Sequence, residues 1–149
     1  MTAEPRSRAQ RRADTEHRLA TDVDVWVASA GDGGPYLVPL SFDWDGATLL
    51  IATGADSPTG RNLAANRQVR LGLGLVRDVV MIDGAVEVLE MDALPVAAGD
   101  RFARRSGFDP RTLPGHYRWF RITPSTIQAW REENELRGRT LMRDGEWMR

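Results

Sequence analysis

The stretch ATGADSPTGRNLAANRQVRL, residues 52–71, gathers the residue types that binding of an anion requires. Thr53, Ser57 and Thr59 bring hydroxyl donors, the turn leaves backbone N–H groups free, and Arg61 adds a planar guanidinium where a helix reads as beginning. Hydroxyls, helix N-terminal amides and one arginine together suit a phosphate or a carboxylate. A plainer reading makes Ser57 or Thr59 only the N-cap of that helix. The local residues leave both open.

Other chemistries are thinly supplied. All 20 basic residues are arginine, so a lysine Schiff base and a Walker-type phosphate loop are excluded, and the lack of cysteine removes thiolate chemistry. The arginine bias also suggests a GC-rich bacterial genome. His17 and His116 lie far apart with no metal-ligand spacing around them, so no metal is expected. LGLGLV lacks the third glycine of a dinucleotide fingerprint, and no GxSxG elbow occurs. Asp43 with Asp45, and Glu132 with Glu133, read as solvated charges. With no visible acid–base set, any enzymatic chemistry would be borrowed from a cofactor.

A net charge of −1 gives no general attraction for nucleic acid, although the arginine and aromatic content of HYRWFRI would suit a nucleic-acid-binding barrel. The N-terminal residues contain no apolar core of a secretory signal, and no segment approaches a membrane span. A cytoplasmic protein without membrane association is the expectation. Arg6, Arg8, Arg11 and Arg12 read as a solvated helix face, with an anion or partner contact as the alternative.

The elements that would position the turn follow from periodicity. A length of 149 residues fits a single domain, 1–149, with a helix within 1–20 and a tail at 132–149. DVWVASA and PYLVPLSF alternate as strands around GDGG, and Pro39 marks the second as an edge or bulged strand. ATLLIAT leads into the turn, and QVRLGLGLV and DVVMIDGAVEVLE follow it, the latter long enough to bend at Gly84. Gly72 and Gly74 leave one face bare for close approach by a ligand, a strand or another subunit. Residues 92–105 read as a helix with Asp92 as N-cap and Pro95 in its first turn. HYRWFRITP, STIQAWR and a turn at Asp144-Gly145 complete a mainly β fold with α additions. Six to seven antiparallel strands form a barrel joined by short helices.

VWVASAGDGGPYLVPLSFDWDG, LLIATGADSPTGRNLAANRQVRLGLG, DVVMIDGAVEVL and YRWFRITPSTIQAW, in that order, resemble the pyridoxamine 5′-phosphate oxidase-like proteins. The resemblance spans roughly residues 17 to 131 and implies the FMN-binding split β-barrel, a fold that also houses deazaflavin (F420) oxidoreductases of actinobacteria. It implies a homodimer with the cofactor across the subunit interface, FMN being the commoner ligand and F420 the alternative. On the phosphate side it implies Thr53, Ser57, Thr59, Arg61 and Asn62. On the ring side it implies backbone contacts from Val38, Pro39, Leu40 and Ser41. Trp26, Trp119 and Trp130 offer flat apolar surface to the ring, Trp130 the best of them.

The implied activity is hydride transfer to or from a small organic substrate. The alternative is a non-catalytic flavin-, F420- or haem-binding protein on the same scaffold. No catalytic residue is identified. The family's frequent lysine near the phosphate turn has no counterpart, leaving Arg61 and Arg67 to supply charge. The tail also lacks the histidine expected of a true vitamin oxidase.

Overall fold

The computed structural model describes residues 3–149, so the first two residues of the expected N-terminal segment lie outside the described ones. A helix α1 (Arg8–Thr21) precedes β1 (Asp24–Gly31), β2 (Gly34–Ser41), a two-residue β3 (Asp43–Trp44) and β4 (Leu49–Gly54). Then follow α2 (Pro58–Asn66), β5 (Gln68–Leu75), β6 (Asp78–Glu90), α3 (Val96–Ser106), β7 (Tyr117–Trp130), β8 (Thr140–Arg143) and β9 (Glu146–Trp147). The strand pairs are antiparallel, in the order β2-β1-β5-β6-β7-β4-β3, with β8 on β7 and β9 on β8. The sheet curls into a split barrel as expected. Nine strands among the described residues exceed the expected six to seven, because β3, β8 and β9 are too short to leave a periodic trace.

The curl is made where β6 crosses β7. The register shifts between Asp83 and Gly84, where Thr126 and Pro124 take consecutive partners and leave Ser125 over. Pro124 lacks an N–H for the ladder and is accommodated at this bulge. A Cβ on Gly84 would stand 2.7 Å from Ile122 Cγ2, so the bend depends on glycine there. The segments HYRWFRITP and STIQAWR are therefore halves of one 14-residue strand, the first pairing with β4 and the second with β8.

Alternation along the strands divides two cores. Val27, Leu71, Ile82, Phe120 and Ile122 fill the barrel, while Leu50, Ala52 and Trp119 turn outward beneath Phe102 of α3. Trp119 and Phe102 meet edge to face at 5.2 Å. The helix α3 starts at Val96 rather than near Asp92: Leu94, preceding Pro95, is extended (φ −87, ψ 136), as a residue before proline favours. Asp92 lies instead in a 3-10 turn, Met91–Ala93, and Pro95 is the N-cap residue.

The arginine-rich N-terminus is a solvated face only at Arg12, which is exposed and pairs with Glu16 at 3.0 Å; Arg6 and Arg11 turn inward. Arg11 is buried and donates to the carbonyls of Ala129, Glu135 and Arg137 at 3.3, 2.8 and 3.3 Å. Arg6 grips the buried Glu135 through its backbone N–H, Nε and Nη2 at 3.0, 3.0 and 2.8 Å, and a fourth bond reaches that carboxylate from the Arg131 N–H at 2.9 Å. The tail is thereby fastened to α1 and closes with a β8–β9 hairpin whose Asp144 and Gly145 both have positive φ, as a two-residue hairpin requires. Among the described residues no helix is long and apolar enough to cross a membrane.

Hydrogen bonds from Arg6 hold the pKa of the Glu135 carboxyl at about 2, below its ordinary 4.5. Its contribution to stability is full above the ordinary value and is lost as pH falls towards the folded one. Chemical denaturation at descending pH should show that loss. Glu135→Ala should abolish this acid dependence and lower stability at pH 7 by about 3–5 kcal/mol, the cost of orphaning a buried ion-pair partner.

Candidate functional site

The turn after β4 is built on Ser57. Its Oγ accepts from the Gly60 N–H at 3.0 Å and donates to the Gly54 carbonyl at 2.7 Å, making it the N-cap of α2, with Pro58 at the first helical position. The capping reading therefore holds for Ser57. Gly60 lies so close over the Gly54 carbonyl that a side chain would collide with it. The Ala55 N–H donates to the His116 carbonyl at 2.8 Å, which pins the turn to the start of β7.

The five turn residues divide. Thr53 Oγ1 lies 3.4 Å from Ser57 Oγ, and both are partly exposed. Arg61 is exposed but curls back, its Nη1 donating to the Asp56 carbonyl at 2.8 Å. Thr59 is buried, and Asn62 donates from Nδ2 to Ser29 Oγ at 3.1 Å, tying α2 to β1. The Thr59 N–H has no protein acceptor among the described residues, as expected within a helix's first turn.

A second guanidinium stands beside this turn and was not singled out from sequence. Thr53 pairs with Arg118, and Arg118 with Glu90, so register places all three on one sheet face, at the end of the row that fills the barrel. Arg118 Nε donates to Glu90 Oε1 at 2.8 Å, and His116 Nε2 lies 2.8 Å from Glu90 Oε2. These two partners, His116 foremost, hold the Glu90 carboxyl below its ordinary range. Only strand register could have revealed Arg118, because no motif links it to Thr53 in sequence.

The opposite surface of the sheet carries an apolar groove. Pro39, Trp26, Gly72, Met81 and Gln128 are successive partners across five strands and so share the outer face. Trp26 is 51% and Leu37 60% exposed, and with Gly72 and Met81 they line a cleft of about 310 Å³ that runs towards Leu75 and Val76. A Cβ on Gly72 would make only ordinary contacts of 3.7 Å with Trp26 and Met81, so the chain's own packing does not demand glycine there. Gly74 differs, because its φ of 87° and the nearby Asp78 carbonyl do demand it.

The ring-side candidates also divide. Val38 and Leu40 pack against the barrel core, Pro39 is exposed, and Ser41 Oγ donates to Asp24 Oδ1 at 2.9 Å. All four lie on β2, an edge of the sheet as Pro39 suggested, with one backbone flank free of a strand partner among the described residues. Trp119 is fully buried in the second core and offers no surface to a ligand. Trp130 pairs with Val79, which lines the groove, but it ends β7 whereas the Thr53 turn adjoins that strand's start. Within one chain, then, the polar turn and the groove lie apart. Among the described residues no cluster of three His, Asp or Glu side chains is arranged to hold a metal.

Solved structures of several other proteins share this fold. An F420 reductase is 19% identical with a TM-score of 0.61, covering 75% of this chain and 94% of that one. A FAD-binding protein from Mesorhizobium loti is 22% identical with a TM-score of 0.62, covering 85% and 96%. HutZ, the haem storage protein from Vibrio cholerae, is 16% identical with a TM-score of 0.63, covering 78% and 92%. No curated protein sequence matches the chain. Residues 17–131, from the end of α1 to just past β7, match the pyridoxamine 5′-phosphate oxidase family, and the chain belongs to that family.

Proposed function

We propose that this protein is an oxidoreductase that holds FMN, or the deazaflavin F420, and passes hydride to or from a small organic substrate. The observation that carries the reading is the pairing of two unlike surfaces, a polar turn and an open apolar groove. A cofactor with a flat ring and a phosphorylated arm needs both. Thr53, the Thr59 N–H, Arg61 and Arg118 form a donor set that fits the phosphate, with Ser57 holding the turn in shape. When bound, the cofactor's ring supplies the hydride chemistry. The chain's own residues bind, orient and exclude water.

Separation of the two surfaces within one chain supports a homodimer in which each cofactor lies between copies. Trp26, Leu37, Leu75 and the 96%-exposed Val76 form the apolar face that a second copy would cover. The free flank of β2, from Val38 to Ser41, offers backbone groups to the ring's polar edge.

One observation favours the second reading, a non-catalytic carrier of flavin, F420 or haem. Among the described residues, the only titratable side chain lining the groove is Arg70, whose Nε donates to Asp83 Oδ1 at 2.6 Å. A carrier would keep its cofactor bound yet unreduced by NAD(P)H or reduced F420. Turnover with either donor excludes it.

Titration with FMN and with F420, followed by absorbance and fluorescence, tests the main reading. Arg61→Ala and Arg118→Gln should each weaken binding about tenfold, the loss of one charge-assisted hydrogen bond, with circular dichroism unchanged. Unaltered affinity in both variants would remove the turn from the site. Leu37→Asp should convert the dimer to a monomer in light scattering and release cofactor. A dimer that survives it places the interface elsewhere.

A further inference from the structure

A carboxylate stands among the donors of the Thr53 turn. Glu90 ends β6 on the same sheet row as Arg118 and Thr53, and both of its oxygens are engaged: Oε1 accepts from Arg118 Nε at 2.8 Å, and Oε2 lies 2.8 Å from His116 Nε2. His116 also belongs to the framework of the turn, because its carbonyl accepts the Ala55 N–H. Contacts therefore run from Ala55 to His116, Glu90 and Arg118, and strand pairing returns them to Thr53. A carboxylate held at both oxygens in this way keeps its charge, and the Glu90 carboxyl titrates below its ordinary range.

Negative charge beside an anion site repels the ligand, and the repulsion grows with the ligand's own charge. Arg61 and Arg118 are the two cations of the donor set, and Glu90 offsets one of them. Asp56, exposed in the same turn, can only lower the positive charge further, and the chain has no lysine to restore it. Arg118 makes no other side-chain bond among the described residues, so both of its Nη groups stay available to a ligand while Nε is spent on Glu90. The turn thus presents many hydrogen-bond donors but little net charge.

We propose that Glu90 is a specificity-determining residue which, by offsetting the charge of Arg118, penalises a doubly charged phosphomonoester at the turn more than a singly charged phosphodiester. The inference rests on the cofactor reading above and deepens it. A phosphomonoester carries about −1.5 to −2 at pH 7, more than this donor set neutralises, whereas a phosphodiester carries a single charge. FMN ends in a monoester and F420 contains a diester, so Glu90 biases the choice between them towards F420. His116 serves the same end by fixing the second carboxylate oxygen, which keeps Glu90 on Arg118.

Methyl phosphate and dimethyl phosphate, titrated into the full chain at pH 8 and followed by the amide shifts of residues 53–61, compare the two charge types without any ring. Glu90→Gln should tighten methyl phosphate about fivefold and dimethyl phosphate no more than about twofold, the scale of one exposed charge pair. Glu90→Asp, which keeps the charge, should leave both within about twofold. Glu90 is exposed, so its variants fold, and circular dichroism checks this. FMN and F420 should repeat the pattern, FMN gaining more from Glu90→Gln. Equal gains for the two esters overturn the proposal, as do weaker binding of both, the mark of a residue that only orients Arg118, and absence of any shift with either. Cofactors that bind without following the pattern overturn it too. If the esters follow it while neither cofactor binds, the charge selectivity stands and the cofactor reading falls.

Discussion

Gly84 carries no side chain because β7 crosses it, with Ile122 Cγ2 and the Thr123 carbonyl oxygen 2.7 and 2.9 Å from where a Cβ would stand. That close crossing lets two long strands bend together while their ladder stays intact on both sides of the bulge. One half of β7 then serves β4 and the other serves β8. The same bend sends the Thr53–Arg118–Glu90 row to one end of the barrel and the Met81–Gln128 and Val79–Trp130 rows to the other. Both candidate sites inherit their positions from it.

Arginine does in this chain what lysine could not. Arg11 satisfies four carbonyls, those of Arg6, Ala129, Glu135 and Arg137, from one buried head group. Arg6 bridges Glu135 and Asp14 at once. A point-like ammonium with three donors cannot span such acceptor sets, whereas a rigid five-donor fork can. Arg6 and Arg11 are thus interior mortar, whereas Arg12 stays on the surface and pairs with Glu16.

Much of the fold was legible because its signals are local. Alternation marked the long strands, Pro39 an edge, Gly84 a bend and Asp144-Gly145 a hairpin. What escaped depends on long-range partners. Nothing in the charges of Arg6 and Arg11 announces Glu135, more than a hundred residues away, and α3 begins late because Pro95 constrains the residue before it. Ser57 was readable as a cap. The company of Arg118 and Thr53 was not, since it exists only through strand register.

The unpartnered flank of β2 carries a liability as well as an opportunity. An extended backbone with free donors and acceptors is a template for any strand that drifts against it, and edge-on stacking of this kind is how sheets grow into fibres. Pro39 interrupts that template at mid-strand, since its ring nitrogen has no hydrogen to offer an intruding chain where the stack would have to continue. With Pro35 four residues earlier on the same strand, it guards against polymerisation along a border that the rest of the sheet leaves open.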